Sequence, residues 1–455
     1  MATSTLGSVF ESIFDRVEVT ARARALKAFE RQRDVCSYDF VLALIRSISS
    51  EPERSMAAVR RAWEALTGQT VASASFDAHF NPGMVRLMWE LFEKVTQPVG
   101  RSLRRRWPRE LQRLRDVLIC DGTRMALDKA LSHVFAGTSE GQAGLKLLGV
   151  LSLDEGQLTD VRAGAAVHHD RKLLRLGELV AGALYLLDLG FYDHSLFAQY
   201  DDADAFFVSR LKSHVVPVIE TIAHGVIGAR QAVGKRLDDA QRYRSIVDVD
   251  ARLSAPDQPG RTRTFRIVKV AVPCTDGHDH WTGEHVDCWY VTNLPRDEWT
   301  PRMIAALYRL RWAIEQAWRQ AKSLARLDHL RSEKPAVLFI FVAASLLVWA
   351  LGMIAVRELE RERGVGQVSH ERVLRVLLAI IPDVTRTLAR EPERLHAELR
   401  RVAGMFRREG KHPNPGQPRR LSTVFETVQN EAQRLAEAAC ANPFQKGTFA
   451  LTCQA

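Results

Sequence analysis

The sequence predicts an α/β fold: a mixed sheet with flanking helices, a β-rich insertion and an all-α N-terminal module. Three observations carry this. Apolar residues recur at helical spacing through roughly the first 110 positions. Short apolar runs bounded by turn residues follow, two of them ending in an aspartate. A stretch rich in β-branched and aromatic residues then precedes a long return to helical pattern. At 455 residues the chain exceeds one ordinary core, so it divides into several domains.

In the N-terminal module Leu42, Ile45 and Ile48, then Val59, Trp63 and Leu66, then Val85, Met88, Trp89 and Phe92 fall at helical spacing. Breaks at 49–52 and 67–70 separate them, as in helix-turn-helix modules or any small helical bundle. Residues 101–115 hold seven arginines, which suits phosphate contact as well as a solvated face.

Val117-Leu118-Ile119-Cys120 reads as a strand ended by the turn Asp121-Gly122-Thr123. Strands at 145–153 and 161–167 flank the Asp154-Glu155-Gly156 turn, and 183–187 is a strand ended by Asp188. Another strand covers 205–208, and strands at 264–272 and 288–292 mark the insertion. Residues 308–322 lack Gly and Pro and predict one helix. Tyr308, Arg311, Glu315 and Lys322 share a stripe ~60° wide on it, with Arg319 close by. Residues 336–356 are apolar throughout and predict a buried central helix, with a membrane anchor as the alternative.

The formal charge of +10 favours a polyanionic partner, nucleic acid first. Six scattered cysteines, and no basic start leading into an apolar run, point to a reducing cytoplasm. Cys274, His278, His280, His285 and Cys288 crowd together without a common zinc spacing. No nucleotide-triphosphatase phosphate loop is present.

Glu315 beside Arg311 could be an ordinary exposed ion pair. Asp121 and Asp188, each at a strand end, give it partners. Three clustered carboxylates need cations, and two Mg²⁺ ions make a clamp for in-line attack at a phosphodiester. Residues 308–322 also match the Tyr-x2-Arg-x3-Glu-x6-Lys signature of DDE transposases of the insertion-sequence-four group, which includes the transposon-five enzyme. Asp121-Gly122-Thr123 resembles that family's first catalytic motif. Asp188-Leu189-Gly190-Phe191 resembles its second, with Leu189 departing from the usual Arg. Phe207-Val208-Ser209-Arg210 resembles the next strand.

The resemblance implies a ribonuclease-H-like catalytic core with the insertion placed before the Glu helix. It implies metal-dependent strand cleavage and strand transfer by hydrolysis and transesterification, with two Mg²⁺ ions on Asp121, Asp188 and Glu315 and Mn²⁺ able to substitute. Tyr308, Arg311, Lys322, Arg210 and Arg319 would contact DNA, and Trp289 would stack on a flipped base unless it is a core residue. The expected partners are double-stranded DNA, as transposon ends and target, and a second copy of the chain in the end-paired complex, with no membrane. The expected location is the bacterial cytoplasm, at the nucleoid. The expected segments are 1–110 for DNA binding, 111–220 and 301–370 for the catalytic core, 221–300 for the insertion, and 371–455 as a helical region for dimerisation. The alternative is a non-catalytic DNA-binding regulator or inactive relative.

Overall fold

The computed structural model describes the chain apart from residues 1, 30–34, 52, 98–101, 175–178, 238–242, 255–261, 276–280, 331, 365–366, 414–419 and 442–455. It is a mixed α/β fold divided into two compact units. The first comprises 1–103, 119–175 and 312–417; the second comprises 104–118, 176–311 and 418–455. These limits differ from the five expected segments. The N-terminal helices do not stand apart, because their apolar faces are covered by helices from residues 335–409 within the first unit.

The first unit is built on the helix Pro335–Arg363, long and apolar enough to cross a membrane; its most apolar 18-residue window is 94% buried. Helices Ala2–Ile13, Ser37–Ser50, Pro82–Thr96 and His370–Arg390 surround it. The apolar surface that suggested a membrane is thus covered by protein. The flanking helices start where the sequence supplies caps: Asp15, Ser55 and Asn81 each accept a backbone N–H of the first turn. Gly68, at φ 76°, ends Met56–Thr67 in a left-handed cap.

The same unit holds β1 (Val117–Leu127), β2 (Ala143–Ser152) and β3 (Gln157–Ala165), in the order β3-β2-β1. β1 corrects an expectation, since it runs through Asp121-Gly122-Thr123 instead of turning there. Thr123, Met125 and Leu127 are buried while Arg124 and Ala126 are exposed, the alternation of a half-buried strand. The first two residues of β1 count with the second unit.

In the second unit β4 (Leu184–Leu187) and β5 (Phe206–Arg210) are parallel, with Leu187 opposite Ser209. The insertion strands are β6 (Val218–Val226), β7 (Tyr243–Ser254), β8 (Thr262–Thr275) and β9 (Trp281–Thr292), an antiparallel meander. They are not a separate subdomain: β9 pairs antiparallel with β5, Val208 opposite Thr292. Within the meander Arg266 and Asp248, each 5% exposed, form an ion pair. Arg266 also donates to the carbonyls of Leu294 and Trp299, just ahead of helix Pro301–Tyr308.

Candidate active site

The stretch 308–322 is not one helix. Pro301–Tyr308 is α-helical, Arg309–Arg311 tightens to 3₁₀, and Trp312–Ser323 resumes as α-helix. A 3₁₀ turn advances ~120° per residue against ~100°, so three residues rotate the following face by roughly 60°. The two halves satisfy different packing demands. Tyr308 is buried beside Tyr290 of β9, ring centroids 5.2 Å apart, in the second unit. Ile314, Ala317, Trp318 and Ala321 are buried in the first unit, where the helix packs on β2 and on Pro335–Arg363. Gly149 of β2 makes room for this: a Cβ there would lie 2.5 Å from Trp318.

The first unit carries Asp121, Glu315, Arg319 and Lys322. Asp121 is half-buried in β1, next to fully buried Cys120, whose thiol is pushed up to about 12 by burial and then by the charges of Asp160 and Asp121. Glu315 is half-buried at the start of the resumed α-helix, and Lys322 sits in its last turn, where the helix dipole favours a positive charge. Lys322 Nζ donates to the carbonyl of Arg124 at 2.8 Å. Burial lowers the Lys322 pKa, while the charges of Asp328 and Asp121 oppose that shift. The last turn of the Glu315 helix is therefore tied to the Asp121 strand. Arg319 is exposed.

The second unit carries Asp188, Arg210, Trp289, Tyr308 and Arg311. Asp188 directly follows β4, as expected, and Arg210 ends β5. Because the strands are parallel and Leu187 faces Ser209, positions 188 and 210 are neighbours at the carboxyl edge, where α/β sheets commonly place functional groups. Arg311 Nε lies 3.9 Å from Asp188 Oδ1, with side chains 21% and 42% exposed, a loose and partly hydrated pair. The Arg311 guanidinium is 6.0 Å from the Tyr308 ring centre. Burial raises the Tyr308 pKa, against the pull of Arg311, so the phenol is neutral at physiological pH. Arg210 Nη2 approaches the buried Cys288 thiol at 3.9 Å.

Trp289 is half-buried, in T-shaped contact with Tyr243 at 5.2 Å, and Lys269 Nζ lies 5.9 Å from both rings. It is neither a fully buried core tryptophan nor an isolated surface ring.

The three expected carboxylates are thus divided, Asp121 and Glu315 in one unit and Asp188 in the other. Among the described residues, no group of three or more His, Cys, Asp or Glu is arranged to hold a metal ion. Each of Asp121, Asp188 and Glu315 is a carboxylate that keeps some exposure, a donor type that suits hard divalent cations. His278 and His280, weighed above for zinc, lie outside the described residues.

One feature was missed from sequence. Lys146 of β2 is 1% exposed, pairs with Asp170 at 2.8 Å and donates to the His168 carbonyl at 2.6 Å. A Cβ at Gly122 would lie 2.8 Å from Asp170 Oδ1, so glycine beside Asp121 lets this carboxylate close on the strand. The signal was a lone lysine inside the run Leu145-Lys146-Leu147-Leu148, since a fully buried lysine needs a partner.

Comparison with known proteins matches residues 112–351 to the family described as "Transposase DDE domain". The transposase for insertion sequence element IS231F of Bacillus thuringiensis subsp. israelensis is 24% identical over 347 residues, 69% of this chain and 71% of that protein. The IS231C transposase of B. thuringiensis subsp. berliner is 22% identical over 334 residues, covering 66% and 69%. A shorter match, 44% over 57 residues, links the chain to the putative transposase InsL of IS186A in Escherichia coli (strain K12), covering 12% and 15%. Among solved structures, the piggyBac transposase synaptic complex with hairpin DNA aligns over 95% of this chain and 85% of that one, at 9% identity and TM-score 0.44.

Proposed function

Because the chain belongs to the transposase DDE domain family and is a DNA transposase, we propose that Asp121, Asp188 and Glu315 are its catalytic carboxylates and hold two Mg²⁺ ions. The observation that carries this is the bond from Lys322 to the Arg124 carbonyl, which ties the Glu315 helix to the strand bearing Asp121. Divalent cations held there by the three carboxylates would activate the attacking oxygen and stabilise the leaving one, and Mn²⁺ would suit the same oxygen donors.

The surrounding residues hold DNA. Arg311 and Arg210, at the carboxyl edge beside Asp188, contact phosphates flanking the scissile bond. Tyr308, neutral and packed on Tyr290, presents a fixed surface next to Arg311. Lys322 and Arg319 extend the cationic face of the Glu315 helix, and Trp289, backed by Tyr243, offers a half-exposed ring for a base. Water attacks first and frees a 3′-hydroxyl; that hydroxyl then attacks the target strand. The working form is a homodimer on paired element ends, in the cytoplasm at the nucleoid. The N-terminal helices contribute end recognition, and the C-terminal helices contribute dimer contacts.

The test is cleavage of the element's own end DNA with Mg²⁺. Wild type cuts, while Glu315→Gln, Asp121→Asn and Asp188→Asn each bind the end without cutting. Equal cutting by wild type and Glu315→Gln sinks the site assignment. Tight end binding by wild type with no nicking in Mg²⁺ or Mn²⁺ favours a non-catalytic regulator.

A further inference from the structure

We propose that the arginine-rich segment 104–116 is a second duplex-DNA contact, which grips the phosphate backbone away from the cleavage point. The inference rests on the reading of the chain as a DNA transposase and deepens it.

The segment is a folded platform. Trp107, Leu111 and Leu114 are buried and anchor it. Arg104 donates to the carbonyls of Leu114 and Arg115, each at 3.1 Å, and Gln112 donates to the Trp107 carbonyl at 2.7 Å. With the apolar residues turned inward, Arg105, Arg106, Arg109, Arg113 and Arg115 are left exposed.

Two other arginine-rich helices carry acids of their own among the described residues. In helices His370–Arg390 and Leu395–Glu409, Arg375 pairs with Glu371, Arg386 with Asp383 and Arg401 with Glu398. Those are ordinary solvated faces. Segment 104–116 sets six arginines against Glu110 and Asp116. Asp116 accepts the Val117 N–H at 2.7 Å, and Arg113 reaches outside the segment to Glu298 at 3.2 Å. Concentrated exposed guanidinium charge on an ordered backbone matches a polyanion. Arginine binds phosphate oxygens through two N–H donors without reading base identity.

Its position separates it from the catalytic edge. Arg115 N–H donates to the Gly182 carbonyl at 2.8 Å and Leu184 N–H to the Asp116 carbonyl at 2.9 Å, which places the platform at the amino end of β4. Asp188 lies beyond the other end of that strand, about 13 Å away at ~3.3 Å per residue. The platform therefore meets duplex several base pairs from the bond being cut.

The experiment uses the full chain and the triple variant Arg105→Gln, Arg109→Gln and Arg115→Gln, on an end-containing duplex and an unrelated duplex of equal length, in EDTA over a range of salt. The expected result is weaker binding to both duplexes by a similar factor, roughly 100-fold at 0.15 M salt, with the slope of log affinity against log salt falling by about 2 to 3. An unchanged slope, or a loss confined to the end sequence, overturns the proposal. If the triple variant melts early, the single variants replace it, each expected to lower the slope by ~0.9. Cleavage is not needed for this readout, so a wild type that binds but never cuts sinks the catalytic reading and leaves this one standing.

Discussion

The helical stretch 301–323 and the helix Pro335–Arg363 lie close in the chain and are built on different terms. The second runs unbroken for 29 residues, with nearly every side chain from Val337 to Glu360 buried. The first is interrupted by a 3₁₀ turn at Arg309–Arg311, with Tyr308 buried in one unit and Ile314, Ala317 and Trp318 in the other. Neither break nor continuity follows from local propensity: the interrupted stretch has no glycine, and the continuous one contains Gly352. A helix buried all round needs no particular phase. A helical stretch whose buried face turns to different partners along its length can meet that demand by changing phase. Tyr308, Arg311, Glu315, Arg319 and Lys322, all expected to act at DNA, fall on the interrupted stretch, so its substitutions should damage activity more than stability, and the reverse should hold for 335–363.

The widest gap is expected between Glu315→Gln and Leu347→Ala. Glu315→Gln should lower end cleavage on the order of 10³-fold, equivalent to ~4 kcal/mol, without shifting Tm. Leu347, 0% exposed, should cost about 2–5 kcal/mol on truncation to alanine, read as earlier thermal unfolding, while binding and cutting by the folded fraction persist. Reversal of that pattern breaks the contrast. Gly149→Ala sharpens it, because the added methyl presses on Trp318, on the same helix as Glu315. A cost of ~1–3 kcal/mol is expected together with slower cutting, and slower cutting without destabilisation would mean that Trp318 moves freely.

The smallest effect concerns pH. Burial lowers the His79 pKa below its ordinary 6.5, and its ring stacks on Phe29 at 3.9 Å. Below pH 6.5 the unfolded chain takes up a proton that the folded chain resists. The contribution of His79 is thus full above 6.5 and is lost as pH falls through the lowered folded value. His79→Gln should flatten the acid side of a Tm-versus-pH curve; an unchanged curve would remove His79 as the cause.

Much of this was legible from residues. The runs ending at Asp188, the turn at 154–156 and the caps at Ser55 and Asn81 lie where turn and cap chemistry put them. The alternation Thr123, Met125, Leu127 also announced that β1 continues, but Asp121-Gly122 looked like a turn because the glycine's real reason, the close approach of Asp170, is a long-range fact. The 3₁₀ break was hidden for the same reason: the partners on either side of it, Tyr290 and β2, are far away in sequence. The grouping of N-terminal and later helices was hidden too, since periodicity shows that a face is buried but not by what.

That grouping sets a schedule for biosynthesis. Helix Ala2–Ile13 packs on helix Leu395–Glu409, with Glu11 2.9 Å from His396. At ~5–20 residues per second, a ribosome takes on the order of 20–80 s to travel from one to the other. Throughout that interval the face of Ala2–Ile13 that Leu395–Glu409 covers waits for its partner, although Phe10 already stacks on Phe14 and the helix can pack on Pro82–Thr96. The hairpins of residues 218–292 pair with near neighbours and can form as they emerge. The nascent chain thus carries a partly uncovered apolar face on helix Ala2–Ile13 after the hairpins can have formed, and chaperone binding to that helix should persist until residue 409 has cleared the ribosomal tunnel.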